Sequence, residues 1–83
     1  MIHILLVYDI TSDRVRAKVA DACLDYGLDR IQYSAFAGTL SSNHQRELMR
    51  RIRALLDDSA SKIVLIPICD ADWKKRQEIE HVG

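Results

Sequence analysis

The apolar residues at the start of the chain follow first a strand pattern and then a helical one. Residues 2–10 are almost continuously apolar and rich in Ile, Leu, Val and Tyr, which predicts a strand covered on both faces and therefore central in its sheet. Residues 11–13 (Thr-Ser-Asp) offer oxygen acceptors for a helix start. Apolar residues then recur at helical spacing from Val15 to Tyr26, and Gly27 is placed to end that helix.

An alternating pattern follows between residues 30 and 38, where Phe36 lies on the face opposite Ala35. Alternation predicts strand structure, bent into two paired segments either near Ser34 or at Gly38–Thr39.

A second amphipathic helix is predicted from residue 42 onward. The Ser42 hydroxyl can answer the Gln45 amide in a capping box. Apolar residues at 48, 52, 55 and 56 then mark one helix face, and the helix is expected to end around residues 57–59.

The last third of the chain predicts one more strand, at residues 62–69. Pro67 cannot donate to a strand ladder, so this strand should lie at a sheet edge or stop there. Residues 70–83 predict a short turn or helix and then an extended tail.

The order strand, helix, two strands, helix, strand predicts an α+β fold, the ferredoxin-like βαββαβ sandwich, with an antiparallel sheet and two helices on one face. We expect residues 1–83 to form a single domain, in which 77–83 are a short C-terminal tail or an extra strand. The other sheet face needs the tail or a partner to cover it, and a homodimer through the sheets is the simplest solution.

The amino-acid composition excludes several classes of protein. Twelve Lys and Arg balance twelve Asp and Glu, so the chain is not one that coats nucleic acid by bulk charge. Its two cysteines are too few for a disulfide framework. No apolar stretch approaches the roughly 18 residues of a membrane span, and we expect a cytoplasmic protein with no membrane contact.

Asp9 is the first candidate for chemistry, because a carboxylate at the end of an apolar strand is costly unless it is paired or bound to metal. The alternative is that it caps the helix beginning near Ser12 or accepts hydrogen bonds from the loop. A single Asp9 supplies only one carboxylate ligand for Mg²⁺, whereas two Asp9 side chains brought together by a two-fold axis make a plausible site.

Three arginines, Arg46, Arg50 and Arg53, project together from the second helix at about 100° per residue. We name them the arginine ridge. Such a row is either a solvated helix face or a surface that contacts phosphates. Tyr8, Tyr33 and Phe36 could stack on bases or belong to the core.

Three segments together resemble the family of CRISPR-associated protein 2, the small endonuclease-like subunit of CRISPR adaptation. They are residues 7–10 (Val-Tyr-Asp-Ile), residues 27–38 with the run Arg-Ile-Gln-Tyr-Ser, and residues 66–73 with Ile-Pro-Ile-Cys before the Trp. The resemblance runs from about residue 2 to residue 82.

The resemblance implies a ferredoxin-like homodimer that bridges dimers of the CRISPR-associated protein 1 integrase and cleaves single-stranded RNA or double-stranded DNA. It implies that Asp9 faces its twin across the two-fold axis and binds Mg²⁺, or Mn²⁺. It also implies catalytic roles for a further set of residues: Tyr8, Arg16, Arg30 and Phe36.

The same resemblance implies that nucleic acid is bound by Arg16, Lys18 and Arg30, and we add the arginine ridge to that surface. Lys18 stands where relatives often have arginine, which keeps the charge but loses bidentate phosphate geometry. Two alternatives stay open: a non-catalytic DNA-binding scaffold of the adaptation complex, and a toxin-type ribonuclease of related fold.

Overall fold

Seven elements follow one another in the computed structural model, which describes all 83 residues. They are β1 (Ile2–Ile10), α1 (Asp13–Asp25), β2 (Asp29–Gln32), β3 (Ala35–Leu40), α2 (Ser42–Leu56), β4 (Ser61–Ile68) and α3 (Asp70–Lys74). The first six give the predicted order of strands and helices, and the short α3 lies where a turn or helix is expected.

The four strands form one sheet in the order β2-β3-β1-β4. β1 is antiparallel to both β3 and β4, so it is central, as its apolar run predicts. β4 lies at an edge, as Pro67 predicts. The ferredoxin-like fold class is confirmed.

The bend between β2 and β3 falls at Tyr33 and Ser34, the first of the two positions predicted. Gly38 lies inside β3 instead. A Cβ added there would come within 2.7 Å of a Leu28 methyl carbon, so this glycine lets Leu28 pack closely against β3 and does not form a bend.

Serine hydroxyls cap the N-termini of both long helices. Ser12 accepts a hydrogen bond from the Val15 amide, as expected, and Gly27 ends the first helical segment at φ 80°. The predicted capping by Ser42 is wrong by one residue. Ser41 is the N-cap of α2, because its backbone is extended and its hydroxyl accepts from the His44 amide.

The core lies between the helices and one face of the sheet. Alternate β1 residues (Ile4, Leu6, Tyr8 and Ile10) are buried in it, and the apolar faces of α1 and α2 complete it. On the opposite sheet face, which we name the open face, Leu5 and Val7 stay partly exposed. The prediction that β1 is covered on both faces therefore holds for one face only within a single chain.

The dimensions of the molecule agree with a sheet that carries helices on one face only. The molecule measures 38 × 38 × 19 Å, and the short axis has room for about two layers. The accessible surface is 5935 Å², against roughly 5,000 Å² expected for a folded monomer of this mass. No helix is both long enough and apolar enough to span a bilayer.

The carboxyl-terminal segment packs only at its start. The His3 ring stacks on Trp73 with centroids 4.9 Å apart, and His3 Nε2 lies 3.2 Å from an Asp70 carboxylate oxygen. Beyond α3 no regular element forms, and Ile79 and Val82 are 97% and 89% exposed. Residues 77–83 thus form a tail and no strand within this chain.

Candidate nucleic-acid and metal site

Asp9 lies one residue before the end of β1 and is exposed. Burial alternates along the strand, which puts Asp9 on the open face, away from its buried neighbours Tyr8 and Ile10. Ser12, not Asp9, caps α1, so the alternative of a helix cap for Asp9 is wrong. No hydrogen bond or ion pair holds its carboxylate.

Lys62 lies directly opposite Asp9 in the antiparallel pairing of β1 with β4. Both line a shallow open depression together with Thr11, Ala60 and Ser61. Within one chain, no group of three or more His, Cys, Asp or Glu side chains is placed to hold a metal ion. A single chain therefore contributes one carboxylate to any metal site here.

Arg16, from the first turns of α1, is fixed to the carboxyl end of β1. Its Nη1 donates to the Ile10 carbonyl oxygen at 2.7 Å, and its Nη2 pairs with the Asp13 carboxylate. Its guanidinium carbon lies 5.6 Å from the centre of the Tyr33 ring. The pKa of Arg16 is raised above its ordinary value, first by the Tyr33 side chain, while partial desolvation opposes this and Asp13 adds to it.

The Arg30 side chain, from β2, lies against the same Tyr33 ring. Its guanidinium carbon lies 5.8 Å from the centre of the Tyr33 ring and 5.1 Å from that of Phe36. The Tyr8 amide donates to the Ser34 carbonyl oxygen at 3.0 Å, which ties the β2–β3 turn to the end of β1. Arg16, Arg30 and Tyr33 therefore form one group, at the end of the sheet where Asp9 lies.

Phe36 and Tyr8 belong to the core beneath that group. Phe36 has no exposed surface and Tyr8 is 6% exposed, and their rings stack with centroids 6.2 Å apart. The expectation that the Phe36 ring packs near a base or sugar stays a prediction, and it would require the ring, which is covered on all sides here, to become exposed. The Tyr8 hydroxyl is buried without a hydrogen-bond partner, so it too is not presented to a ligand.

The arginine ridge forms a second basic surface, on α2. Its three side chains line a groove with an apolar floor that includes Met49, Leu56 and Ile63. Arg46 donates to the Asn43 side chain at 2.5 Å, and Arg50 and Arg53 make no ion pair. Lys18 is exposed on α1 and does not line this groove. Arg16 and Arg30 meet at the Tyr33 ring, so the predicted basic residues other than Lys18 fall into two groups.

The two cysteines contribute to packing and capping. Cys23 is fully buried, and burial raises the pKa of its thiol to about 11. Cys69 is exposed, and its sulfur accepts a hydrogen bond from the Asp72 amide at the start of α3. A thiol that stays protonated is a poor nucleophile, so Cys23 has a packing role and not a catalytic one.

Two features of this region do not follow from the sequence pattern. Tyr33 is a candidate for stacking on bases, but its place beside Arg16 and Arg30 is not predicted. Lys62 is not a candidate at all. The alternating pattern would put Tyr33 inside a strand if the bend fell at Gly38. The position of Lys62 opposite Asp9 depends on long-range strand register, which no local motif encodes.

Fold and side chains together define the class of protein. It is a small ferredoxin-like α+β domain that presents an unpaired carboxylate on its open face at the end of the central strand, an arginine pair at the same end of the sheet, and a separate basic ridge on its second helix.

The chain belongs to the family described as CRISPR associated protein Cas2, whose family model matches residues 1–76. It is 49% identical over 76 residues to the CRISPR-associated endoribonuclease Cas2 2 of Chloroflexus aurantiacus, covering 92% of this chain and 89% of that protein. It is 39% identical over 66 residues to a CRISPR-associated endonuclease Cas1/endonuclease Cas2 fusion of Thermoproteus tenax, covering 80% of this chain and 25% of the fusion.

A solved structure shares the fold. One chain of a partial Cas6-RT-Cas1–Cas2 complex superposes with a TM-score of 0.81 at 23% identity, covering 95% of this chain and 85% of that one.

Proposed function

We propose that the protein is a CRISPR adaptation subunit that works as a homodimer and cleaves single-stranded RNA with the help of Mg²⁺ or Mn²⁺. Membership of the Cas2 family and the endoribonuclease name of the Chloroflexus aurantiacus relative support this proposal. The fusion of a Cas1 to a Cas2 in Thermoproteus tenax supports the CRISPR-associated protein 1 integrase as the partner.

The observation that carries the proposal is the position of Asp9. An exposed carboxylate without a partner stands on the open face, at the end of β1 opposite to the one where Trp73 of α3 stacks on His3. Mg²⁺ is commonly held by one or two carboxylates, with water and phosphate oxygens completing its shell. One chain supplies half of such a donor set, and a two-fold axis through the open face supplies the other half.

The open face also supports the homodimer. It carries partly exposed apolar residues of β1 and β4, among which Leu5 pairs in register with Ile66, and Ile66 is 42% exposed. Two small residues of β3, Ala35 and Ala37, lie on this face in register with Val7 and Leu5. An apolar sheet face of this kind can be buried by packing against a second copy of itself.

In the dimer, Asp9 of each protomer would hold the divalent ion. When bound, this ion supplies a water of lowered pKa and neutralises charge on the scissile phosphate. Arg16 and Arg30 bind neighbouring phosphates of the strand and orient it, because guanidinium groups match phosphate oxygens in geometry and charge. Lys62, beside Asp9, adds a further positive charge for the strand.

The test replaces Asp9 with Asn, which keeps size and hydrogen bonding but removes the charge. We expect Asp9→Asn to abolish Mg²⁺-stimulated cleavage of single-stranded RNA while the dimer persists in light scattering. Asp58→Asn, in the turn after α2, is the matched control and should cleave normally. Cleavage by Asp9→Asn at the wild-type rate, and equally in EDTA, would contradict the proposal, and cleavage of duplex DNA alone would correct its substrate.

A second candidate is a non-catalytic scaffold that binds DNA and bridges integrase dimers. The observation in its favour is the arginine ridge, since Arg50 and Arg53 have no acidic partner on an exposed helix face. It predicts that the double change Arg50→Glu/Arg53→Glu weakens assembly with integrase and duplex DNA in size-exclusion chromatography, whereas Asp9→Asn assembles normally. Unchanged assembly after the charge reversal would count against it.

A further inference from the structure

We propose that Tyr33 is a positioning residue of the nucleic-acid site, where its ring holds the guanidinium groups of Arg16 and Arg30 close together for the phosphates of one RNA strand. This inference rests on the proposed function, because it assigns a residue to the same site.

Exposure is the first argument for a role outside the core. The Tyr33 side chain is 69% exposed at the turn between β2 and β3, a position where Gly, Asn, Asp or Ser is more usual. The two aromatic residues nearest in the sheet, Tyr8 and Phe36, are buried. Packing in the core therefore does not explain a bulky ring at this turn.

The second argument is the placement of two cations against one ring. The guanidinium carbons of Arg16 and Arg30 lie 5.6 and 5.8 Å from the Tyr33 ring centre, within the range of a cation–π contact. They are therefore less than about 12 Å apart, close enough to contact phosphates in the same short stretch of one strand. Two like charges would otherwise separate in water.

The third argument concerns the conformational entropy that the two arginine side chains lose when they bind RNA. Arginine side chains lose much rotamer freedom when they bind, and a contact that orders them beforehand lowers that cost. Arg16 is already held by the Ile10 carbonyl oxygen and by Asp13, whose side chain is 92% exposed. Arg30 has no acidic partner, and the rings of Tyr33 and Phe36 are what orders it.

The experiment measures the affinity of the full-length protein for a short fluorescein-labelled single-stranded RNA by anisotropy at several salt concentrations. An exposed cation–π contact corresponds to a factor of about two to five in affinity. We expect Tyr33→Leu to weaken binding about 4- to 25-fold and to reduce the salt slope by about 0.7 for each phosphate that the arginines cease to bind. Tyr33→Phe keeps the ring and should bind within about twofold of wild type.

A double-mutant cycle separates positioning from direct contact. In the Arg16→Gln/Arg30→Gln background, Tyr33→Leu should change the affinity less than about twofold, because the cations that it positions are gone. If the full loss persists in that background, Tyr33 stacks on the RNA itself and the inference is overturned. Wild-type affinity for Tyr33→Leu also overturns it.

Controls keep this outcome apart from failure of the proposed function. Arg51→Gln removes an arginine that pairs with Asp25 across the helices, and it should bind RNA normally. If Arg16→Gln/Arg30→Gln binds as tightly as wild type, the proposed RNA site itself is wrong. If that variant loses binding and Tyr33→Leu does not, only the role of Tyr33 is wrong. Circular dichroism of Tyr33→Leu should match wild type, since the side chain is exposed.

Discussion

Replacing Phe36 with Leu should destabilise the protein without removing its affinity for nucleic acid. The ring is fully buried, stacks on Tyr8 at 6.2 Å and lies 5.1 Å beneath the Arg30 guanidinium. Loss of the aromatic pair costs about 0.5–1.5 kcal/mol, and loss of the cation–π interaction about 0.5–1 kcal/mol. The free energy of unfolding should therefore fall by about 1–2.5 kcal/mol.

This loss is a sizeable share of the total. A chain of this length has a free energy of unfolding of roughly 4–12 kcal/mol, and the loss corresponds to a fall in Tm of roughly 4–20 °C. Urea and thermal unfolding followed by circular dichroism measure it, at one fixed protomer concentration because the stability of a dimer depends on concentration. Thr39→Ala, exposed on the same strand, is the matched control and should stay within about 0.5 kcal/mol of wild type.

Binding to single-stranded RNA, measured well below the Tm of each variant, decides the role of the ring. Phe36→Leu should lose no more than about fivefold in affinity, the most that its contact with Arg30 allows at ~1 kcal/mol. A variant of unchanged stability that binds more than tenfold more weakly would refute the assignment of Phe36 to the core and favour a direct contact.

Two further predictions concern capping and pH. Ser41→Ala should lower the free energy of unfolding by about 1 kcal/mol, while Ser42→Ala leaves it nearly unchanged. Equal losses for the two variants, measured by urea unfolding, would contradict the assignment of Ser41 as the N-cap. The thiol of Cys23 has a folded-state pKa of about 11 against an ordinary 9.0, so the stability that it contributes is complete below pH 9 and is lost as the pH rises toward 11. The stability of wild type relative to Cys23→Ala should therefore fall over that interval by at most about 1.4 kcal/mol per pH unit, and a constant difference would contradict the assignment.

Local sequence signals are enough for much of the fold. The apolar run of β1 predicts its central place, and the missing amide of Pro67 predicts the edge position of β4, because both depend on properties of single strands. The N-cap of α2 is predicted one residue too late because two serines are adjacent and either hydroxyl can cap. The backbone decides between them, since only Ser41 is extended at the helix start.

The site is predicted less completely because its geometry depends on distant pairings. The alternating pattern puts Phe36 opposite Ala35 but does not say which face meets the helices, and so leaves its ring as a candidate contact for nucleic acid. Tyr33 stands at a turn whose position is set by the pairing of Tyr8 with Ser34. Lys62 meets Asp9 only through the β1–β4 register.

The zero net charge of the chain hides an uneven distribution of charge. Several acids are already paired with bases, since Asp13 pairs with Arg16, Asp25 with Arg51, Asp70 with Lys74 and Glu78 with Arg76. Of the basic side chains at the two proposed nucleic-acid surfaces, Arg16 is paired, whereas Arg30, Lys62 and the three arginines of the ridge have no ion-pair partner. A phosphate backbone therefore meets unneutralised cations locally, although the molecule as a whole attracts no polyanion at long range. Such binding requires the strand to lie directly on these surfaces, because salt largely screens the charges beyond about 10 Å.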